Sequence, residues 1–129
     1  MIIVNKKKYE NLTIDVYYGD YNVTKEGKKR TGLSPFISFK TDNIKIGIET
    51  IYDKEWLKEL NESNKKNISK FVSDIVYEDE EGWVSLITGD YKCFIEKIDD
   101  KEFTLDFSCN AIEGNINFDI LINEKIKLL

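Results

Sequence analysis

Residues 71–95 read FVSDIVYEDEEGWVSLITGDYKCFI, and the alternation inside this run decides the fold class. Val72 and Val76 fall on one side of a period-two pattern, while Phe71, Ile75 and Tyr77 fall on the other. The acids Glu78, Asp79, Glu80 and Glu81, followed by Gly82, interrupt the apolar pattern, which resumes at Trp83. Short runs of β-branched and aromatic residues parted by turn residues are the signature of antiparallel strands. Two connections are predicted here: the acidic loop 78–82, and a two-residue hairpin turn at Gly89-Asp90 between Thr88 and Tyr91.

Downstream, residues 99–102 supply a turn before a strand at 103–109. Ile116, Phe118, Ile120 and Ile122 then alternate with Asn115, Asn117 and Asp119 in a final strand. Upstream, Leu12, Ile14, Val16 and Tyr18 alternate with Thr13, Asp15 and Tyr17. Pro35 opens a strand through residue 40, a position where a missing N–H is tolerated. Thr41-Asp42-Asn43 turns the chain into a strand carrying Ile44, Ile46 and Ile48. Residues 19–32 are mostly polar, with three glycines and the basic run Lys28-Lys29-Arg30, and read as a mobile loop. One helix is predicted over 54–66, capped by Asp53, with Trp56, Leu57 and Leu60 on one side.

Register converts this pattern into faces. With Tyr77 opposite Trp83 and Thr88 opposite Tyr91, one face carries Val72, Val76, Val84, Leu86, Cys93 and Ile95, with Asp74 as the exception. With Asp99 opposite Phe103, that face gains Phe103, Leu105, Phe107 and Cys109; a slip of one residue would send those four to the other side. The opposite face carries Phe71, Ile75, Tyr77, Trp83, Ile87 and Phe94. A solvated antiparallel sheet shows one apolar face, so the second needs cover from the helix and N-terminal strands or from another protein. The expected fold is mostly β (or α+β), a single domain over 1–129. It is an antiparallel meander sheet, curved or sandwich-like, with one amphipathic surface helix.

Composition agrees with sheet. Of 129 residues, 41% are apolar; Ile occurs 18 times and Ala once. β-branched residues suit a pleated surface, whereas Ala is the strongest helix former. A chain of this length buries roughly two-thirds of its unfolded surface, enough to fold without a metal or disulfide staple. No window approaches the roughly 18 apolar residues of a membrane span, and the N-terminal run lacks the order of a signal peptide. A cytoplasmic location is expected, where Cys93 and Cys109 are reduced thiols. Direct cross-strand pairing would bring the two within bridging reach.

Charge is unevenly spread within a net −5. Residues 1–30 carry seven Lys/Arg against four Asp/Glu, whereas residues 71–129 carry five Lys against fourteen acids. The acidic half repels nucleic acid and attracts cationic surfaces. Arg30 is the only arginine, which leaves little of the bidentate grip that nucleic-acid readers use.

Absent residue types narrow the chemistry. There is no His, so the usual neutral-pH general base, the commonest metal ligand and the middle member of a nucleophilic triad are all missing. Two cysteines on apolar strand faces make neither an activated nucleophile nor a zinc site. The pairs Asp99-Asp100 and Glu78 to Glu81 sit in turns, where acids are ordinarily just solvated. The acidic loop does not have the ligand spacing of a calcium loop, and there is no glycine-rich phosphate cradle. The chain reads as a non-enzymatic binding protein without cofactor or metal.

The constellation that points to a contact is Tyr77-Glu78-Asp79-Glu80-Glu81-Gly82-Trp83. Two large aromatics supply anchoring area and the acids steer a basic partner. Asp90, Asp99 and Asp100 in nearby turns extend the acidic field. The segment 71–98, with its SDIVYEDEEGWVSLI run, resembles small acidic immunity proteins of bacterial polymorphic-toxin systems. The resemblance implies a cytosolic antidote that blocks a secreted toxin by occluding its active site or a neighbouring surface; such toxins are often basic nucleases. Two rivals stand beside it. One is a phage or mobile-element accessory protein acting as an acidic decoy against a defence nuclease; the other is a small-ligand-binding β domain.

Overall fold

The structure, a computed structural model, describes residues 1–25, 28–51, 65–99 and 101–127, with 18–25 and 28–34 described as backbone only. In chain order its strands are β1 (Ile2–Val4), β2 (Lys7–Tyr9), β3 (Thr13–Lys25), β4 (Lys28–Lys40), β5 (Lys45–Thr50), β6 (Lys66–Asn67), β7 (Val72–Asp79), β8 (Gly82–Ser85), β9 (Asp90–Lys97), β10 (Glu102–Glu113) and β11 (Ile116–Lys127). They form two antiparallel sheets. One has the order β2-β1-β11-β10-β9-β6 and the other β3-β4-β5-β7-β8. The protein is mostly β, as its Ile-rich, Ala-poor composition requires. The expected helix falls almost wholly on residues 52–64, outside the described residues, and its last residue, Lys66, lies in β6. Among the described residues the one helical piece is a 3-10 turn at Ser69–Phe71, and no helix is long and apolar enough to cross a membrane.

Inward positions of both sheets share a single core. Ile37, Phe39, Ile46, Ile48 and Ile75 come from the five-stranded sheet, and Ile95, Phe103, Leu105, Phe107, Ile120 and Ile122 from the six-stranded one. Each fully buried Ile, Leu or Phe contributes roughly 1.5–3 kcal/mol of hydrophobic stabilisation. Strand β10 shows the cause most simply: Phe103, Leu105, Phe107, Cys109 and Ala111 are buried, while the residues between them are not. Its expected face is correct although its register is shifted by two. Phe103 lies opposite Lys97 and Cys93 opposite Phe107, and an even shift leaves faces unchanged. Cys109 pairs with Tyr91, so the two thiols are diagonal neighbours on the core face, both free and buried.

The structure corrects four other expectations. Residues 19–25 and 28–32 are strands, not a loop: β3 and β4 stay paired from Thr13↔Lys40 to Lys25↔Lys28. β5 accompanies β4 only over 36–40, so among the described residues no further strand lies beside the outer part of this pair. Backbone pairing without a further described strand alongside needs no apolar alternation, and this polar, glycine-containing stretch shows none. Pro35 consequently lies within β4 rather than at its start. Its carbonyl accepts the Thr50 hydroxyl at 2.9 Å, at the point where the β5 ladder ends and a missing N–H goes unneeded.

The Gly89-Asp90 dipeptide does not close a hairpin. The chain leaves the five-stranded sheet after β8, crosses through residues 86–89 and enters the other sheet at Asp90. Leu86 N–H still donates to the Ile75 carbonyl at 2.7 Å, and Gly89 then passes so close to β10 that a Cβ there would stand 2.5 Å from Ala111 Cβ. The meander is thus divided between two sheets. Ile75, Leu86, Cys93 and Ile95, expected on two faces of one sheet, instead line a shared core.

The fourth correction is a one-residue slip at the acidic turn. Glu78, not Tyr77, lies opposite Trp83, and Tyr77 lies opposite Val84. Cross-strand partners share a face, so Trp83 joins Glu78 on the solvent side while Tyr77 and Val84 pack against the core. A short hairpin, β1–β2, was not anticipated. Asn5 and Lys6 take positive φ of 49° and 70° in its two-residue turn, and Asn5 bonds Asp119 of β11 through both its N–H and its side-chain oxygen, at 2.8 Å each.

Candidate functional site at the acidic end of the sheets

The β7–β8 turn is built by its own acids. Asp79 Oδ1 accepts the Glu81 N–H at 2.9 Å, and Gly82, at φ +134°, completes a reversal that L side chains rarely allow. This places Glu80 and Glu81 at the apex and leaves Glu78, Asp79, Glu80, Glu81 and Trp83 all exposed, Trp83 at 70%. An indole so exposed has forgone most of the burial that would stabilise the fold, so its apolar surface is left for another contact.

Behind the turn the two sheets gape. Tyr77 and Phe118, one from each sheet, meet with ring centroids 5.0 Å apart at a tilt of 57° and form the floor of a groove of about 190 Å³. Val84, Trp83 and Ile116 line its apolar part, and Ile116 is itself 54% exposed. Asp79, Glu81 and, from the β10–β11 turn, Glu113 supply its carboxylates. The Tyr77 hydroxyl hydrogen-bonds Asp79, and burial first, with the Asp79 charge second, raises the phenol above its ordinary range. The phenol therefore remains a donor. On the opposite wall the Thr88 hydroxyl donates to Glu113 Oε1 at 3.3 Å.

The four acids of the turn differ in their surroundings. Glu78 lies opposite Lys45 on β5, and a separate hollow beside the 41–44 turn brings Lys40 and Lys45 together with Glu78, Asp79 and Glu80. The groove holding Asp79, Glu81 and Glu113 has no Lys or Arg among its described lining residues. Negative charge is thus partly balanced on one side of the turn and left open on the other.

The remaining predicted site residues lie apart. Asp90 begins β9 and stands abreast of Asn110 and Asp119 on the outer face of the six-stranded sheet. With Lys92 and Ser108, these border a broader concavity of about 480 Å³. Asp99 sits in the β9–β10 turn, nine residues from Asp90 and hence roughly 30 Å along an extended strand. Its carboxylate accepts the Lys101 N–H at 2.8 Å, a turn-forming role. Asp100 is outside the described residues. The structure thus gathers Tyr77, Glu78, Asp79, Glu80, Glu81 and Trp83 and leaves Asp99 out. Sequence reading missed Glu113, Ile116 and Phe118 as members of the same site. The Glu113-Gly114-Asn115-Ile116 turn was their available signal, with Gly114 at φ +61°.

Other chemistry is limited. Burial pushes the Cys93 thiol up to about 12 and the Cys109 thiol up to about 11, helped by Asp106 in the first case and by Asp119 and Asp90 in the second. Neither is an activated nucleophile. Among the described residues no group of three or more His, Cys, Asp or Glu is placed to hold a metal ion. Comparison with protein-family models, with curated proteins and with solved structures finds no match for this chain.

Proposed function

We propose that this chain is a non-enzymatic, immunity-type inhibitor that neutralises a cationic protein, such as a secreted toxin domain, in the cytoplasm by stoichiometric binding. The observation that carries the reading is Trp83, 70% exposed among four consecutive acids at the rim of an apolar groove. Interfaces draw their energy from a few aromatic anchors, and charge around them sets encounter rate and partner choice. The β7–β8 turn supplies both parts, and the surplus of acids over residues 71–129 extends the attraction beyond it.

The rival readings fit less well. A decoy for a nuclease needs negative charge spread like that of a duplex. Here the densest run of acids, Glu78 to Glu81, is confined to one turn, with Lys40 and Lys45 alongside. A small-ligand site ordinarily encloses about 300–1,000 Å³, which exceeds the apolar groove, and the larger concavity is lined mainly by polar side chains. The test is direct binding of a basic toxin domain encoded beside this chain, followed by surface plasmon resonance. A 1:1 complex that silences the toxin supports the reading. Equal affinity of wild type, Trp83→Ala and a variant neutralised at residues 78–81 would remove the turn as the contact.

A further inference from the structure

We propose that the groove between the β7–β8 and β10–β11 turns is a socket for one arginine side chain of the partner. This rests on the binding reading above and names what the site grips. The groove of about 190 Å³ suits a single long side chain better than a compact ligand. Its floor, Tyr77 and Phe118, together with Val84 and Ile116, is apolar and matches a polymethylene stem. Its mouth is not. Asp79 and Glu113 approach from opposite sheets, and each is already oriented by donors from its own surroundings, Asp79 by the Glu81 N–H and the Tyr77 hydroxyl, and Glu113 by the Thr88 hydroxyl. Carboxylates keep several acceptor sites, so both retain capacity for a charged donor.

Charge complementarity selects the occupant. An apolar side chain covering this mouth would strip water from carboxylates without replacing it, which is unfavourable for each charge left uncompensated. A cation removes that penalty, and no described lining residue supplies one from within. Between the two cationic side chains, the paired carboxylates favour arginine. Asp79 and Glu113 stand on opposite sheets, and the planar fork of a guanidinium reaches both, which a compact ammonium does less well.

The experiment is a heteronuclear NMR titration of the full chain with N-acetyl-arginine-N-methylamide, alongside the lysine and citrulline analogues. Arginine is expected to give saturable shifts at the Trp83 indole, the amides of 79–83 and the Ile116 methyls. Lysine should bind at least about threefold more weakly, and neutral citrulline, of nearly the same shape, should give no saturation. Asp79→Asn and Glu113→Gln, each retaining the native amide spectrum, should each weaken the arginine response about fivefold or more. If Asp79→Asn perturbs the turn, Glu113→Gln still decides the matter, because Glu113 takes no part in that turn. Citrulline binding as well as arginine, or no arginine response at all, would overturn the socket. Self-association that vanishes in Arg30→Ala would assign the groove to a second copy and overturn it equally. The socket can fail alone: if the arginine probe is silent while Trp83→Ala still weakens the protein partner, the inhibitor reading stands.

Discussion

Two regions of this molecule are acidic and concave, and they differ in what lies beneath the charge. At the β7–β8 turn, Asp79, Glu81 and Glu113 ring a floor of Tyr77, Phe118 and Val84, beside an indole that is 70% exposed. On the outer face of the six-stranded sheet, Asp90 and Asp119 flank Asn110 over a hollow more than twice as large, with Lys92 in its lining. The second region has acids of similar number but no large exposed apolar group among its lining residues. Exposed carboxylates in water gain little from a partner's cation, because screening and side-chain entropy consume most of the Coulomb energy. Apolar surface beside them changes this, since its burial supplies the free energy that holds the partner while exclusion of water strengthens the ion pairs. Volume alone favours the outer hollow, and the exposed apolar surface is what distinguishes the other.

The largest expected effect is from Trp83→Ala. Removing a central aromatic anchor ordinarily costs about 2 kcal/mol or more, roughly 30-fold in Kd, and the loss should appear chiefly as faster dissociation. The substitution should leave thermal stability nearly unchanged, because so exposed a side chain adds little to the core. An unaltered dissociation rate in surface plasmon resonance would erase the distinction between the two regions. Neutralising Glu78, Asp79, Glu80 and Glu81 together to their amides should act on the other arm of the kinetics. Association should slow about tenfold at low salt and lose most of its salt dependence, with a smaller change in dissociation. Unchanged association at low salt would mean that the acids serve only solubility.

How much of this was legible follows from what local pattern can and cannot encode. β10 was read correctly because Phe103, Leu105, Phe107 and Cys109 alternate with polar residues, and period two is the direct imprint of a half-buried strand. The acid-plus-aromatic turn was legible for the same reason, as an interruption between two such runs. Register was not: the difference between Tyr77 and Glu78 opposite Trp83 depends on the turn at Asp79 to Gly82, and it decides whether the indole faces core or solvent. Nor was the change of sheet at 86–89 legible, because Gly89 carries the same turn signal whether the next strand pairs in the same sheet or crosses to the other. The groove belongs to this second class. Its two walls, around residues 79–84 and 113–118, come together only once β8 and β9 have parted into different sheets. The outer parts of β3 and β4 were illegible for the opposite reason, since backbone pairing by itself leaves no apolar trace.

Within the outer-face region, Asp90→Asn and Asp119→Asn should change partner affinity less than about twofold, singly or together, which is the range of an exposed charge without an apolar neighbour. Asp119→Asn bears on stability only weakly, because its contacts to Asn5 are made by the Asp119 backbone. A loss of affinity comparable to that of Trp83→Ala would move the contact surface to the sheet face and invert the comparison.

The smallest expected effect is an absence of reactivity, and it sharpens the contrast from the chemical side. Cys109 borders the outer hollow, yet it is buried, and its thiol is pushed up to about 11, while Cys93 is pushed up to about 12. At pH 8 almost no thiolate exists at either position in the folded chain, so a maleimide should label neither until the protein unfolds. The sign of the linkage follows from the same shifts. The folded state holds these protons more tightly than the unfolded one, so stability from the thiols is complete below the ordinary thiol range and falls as pH climbs towards 11–12. Chemical denaturation from pH 8 to 11 should therefore show declining stability, and Cys93→Ala should make that decline shallower despite its own cost at pH 8. Rapid labelling of Cys109 in native protein would mean that the outer hollow is deeper and more reactive than a sheet face allows. The exposed apolar floor would then no longer be what sets the two regions apart.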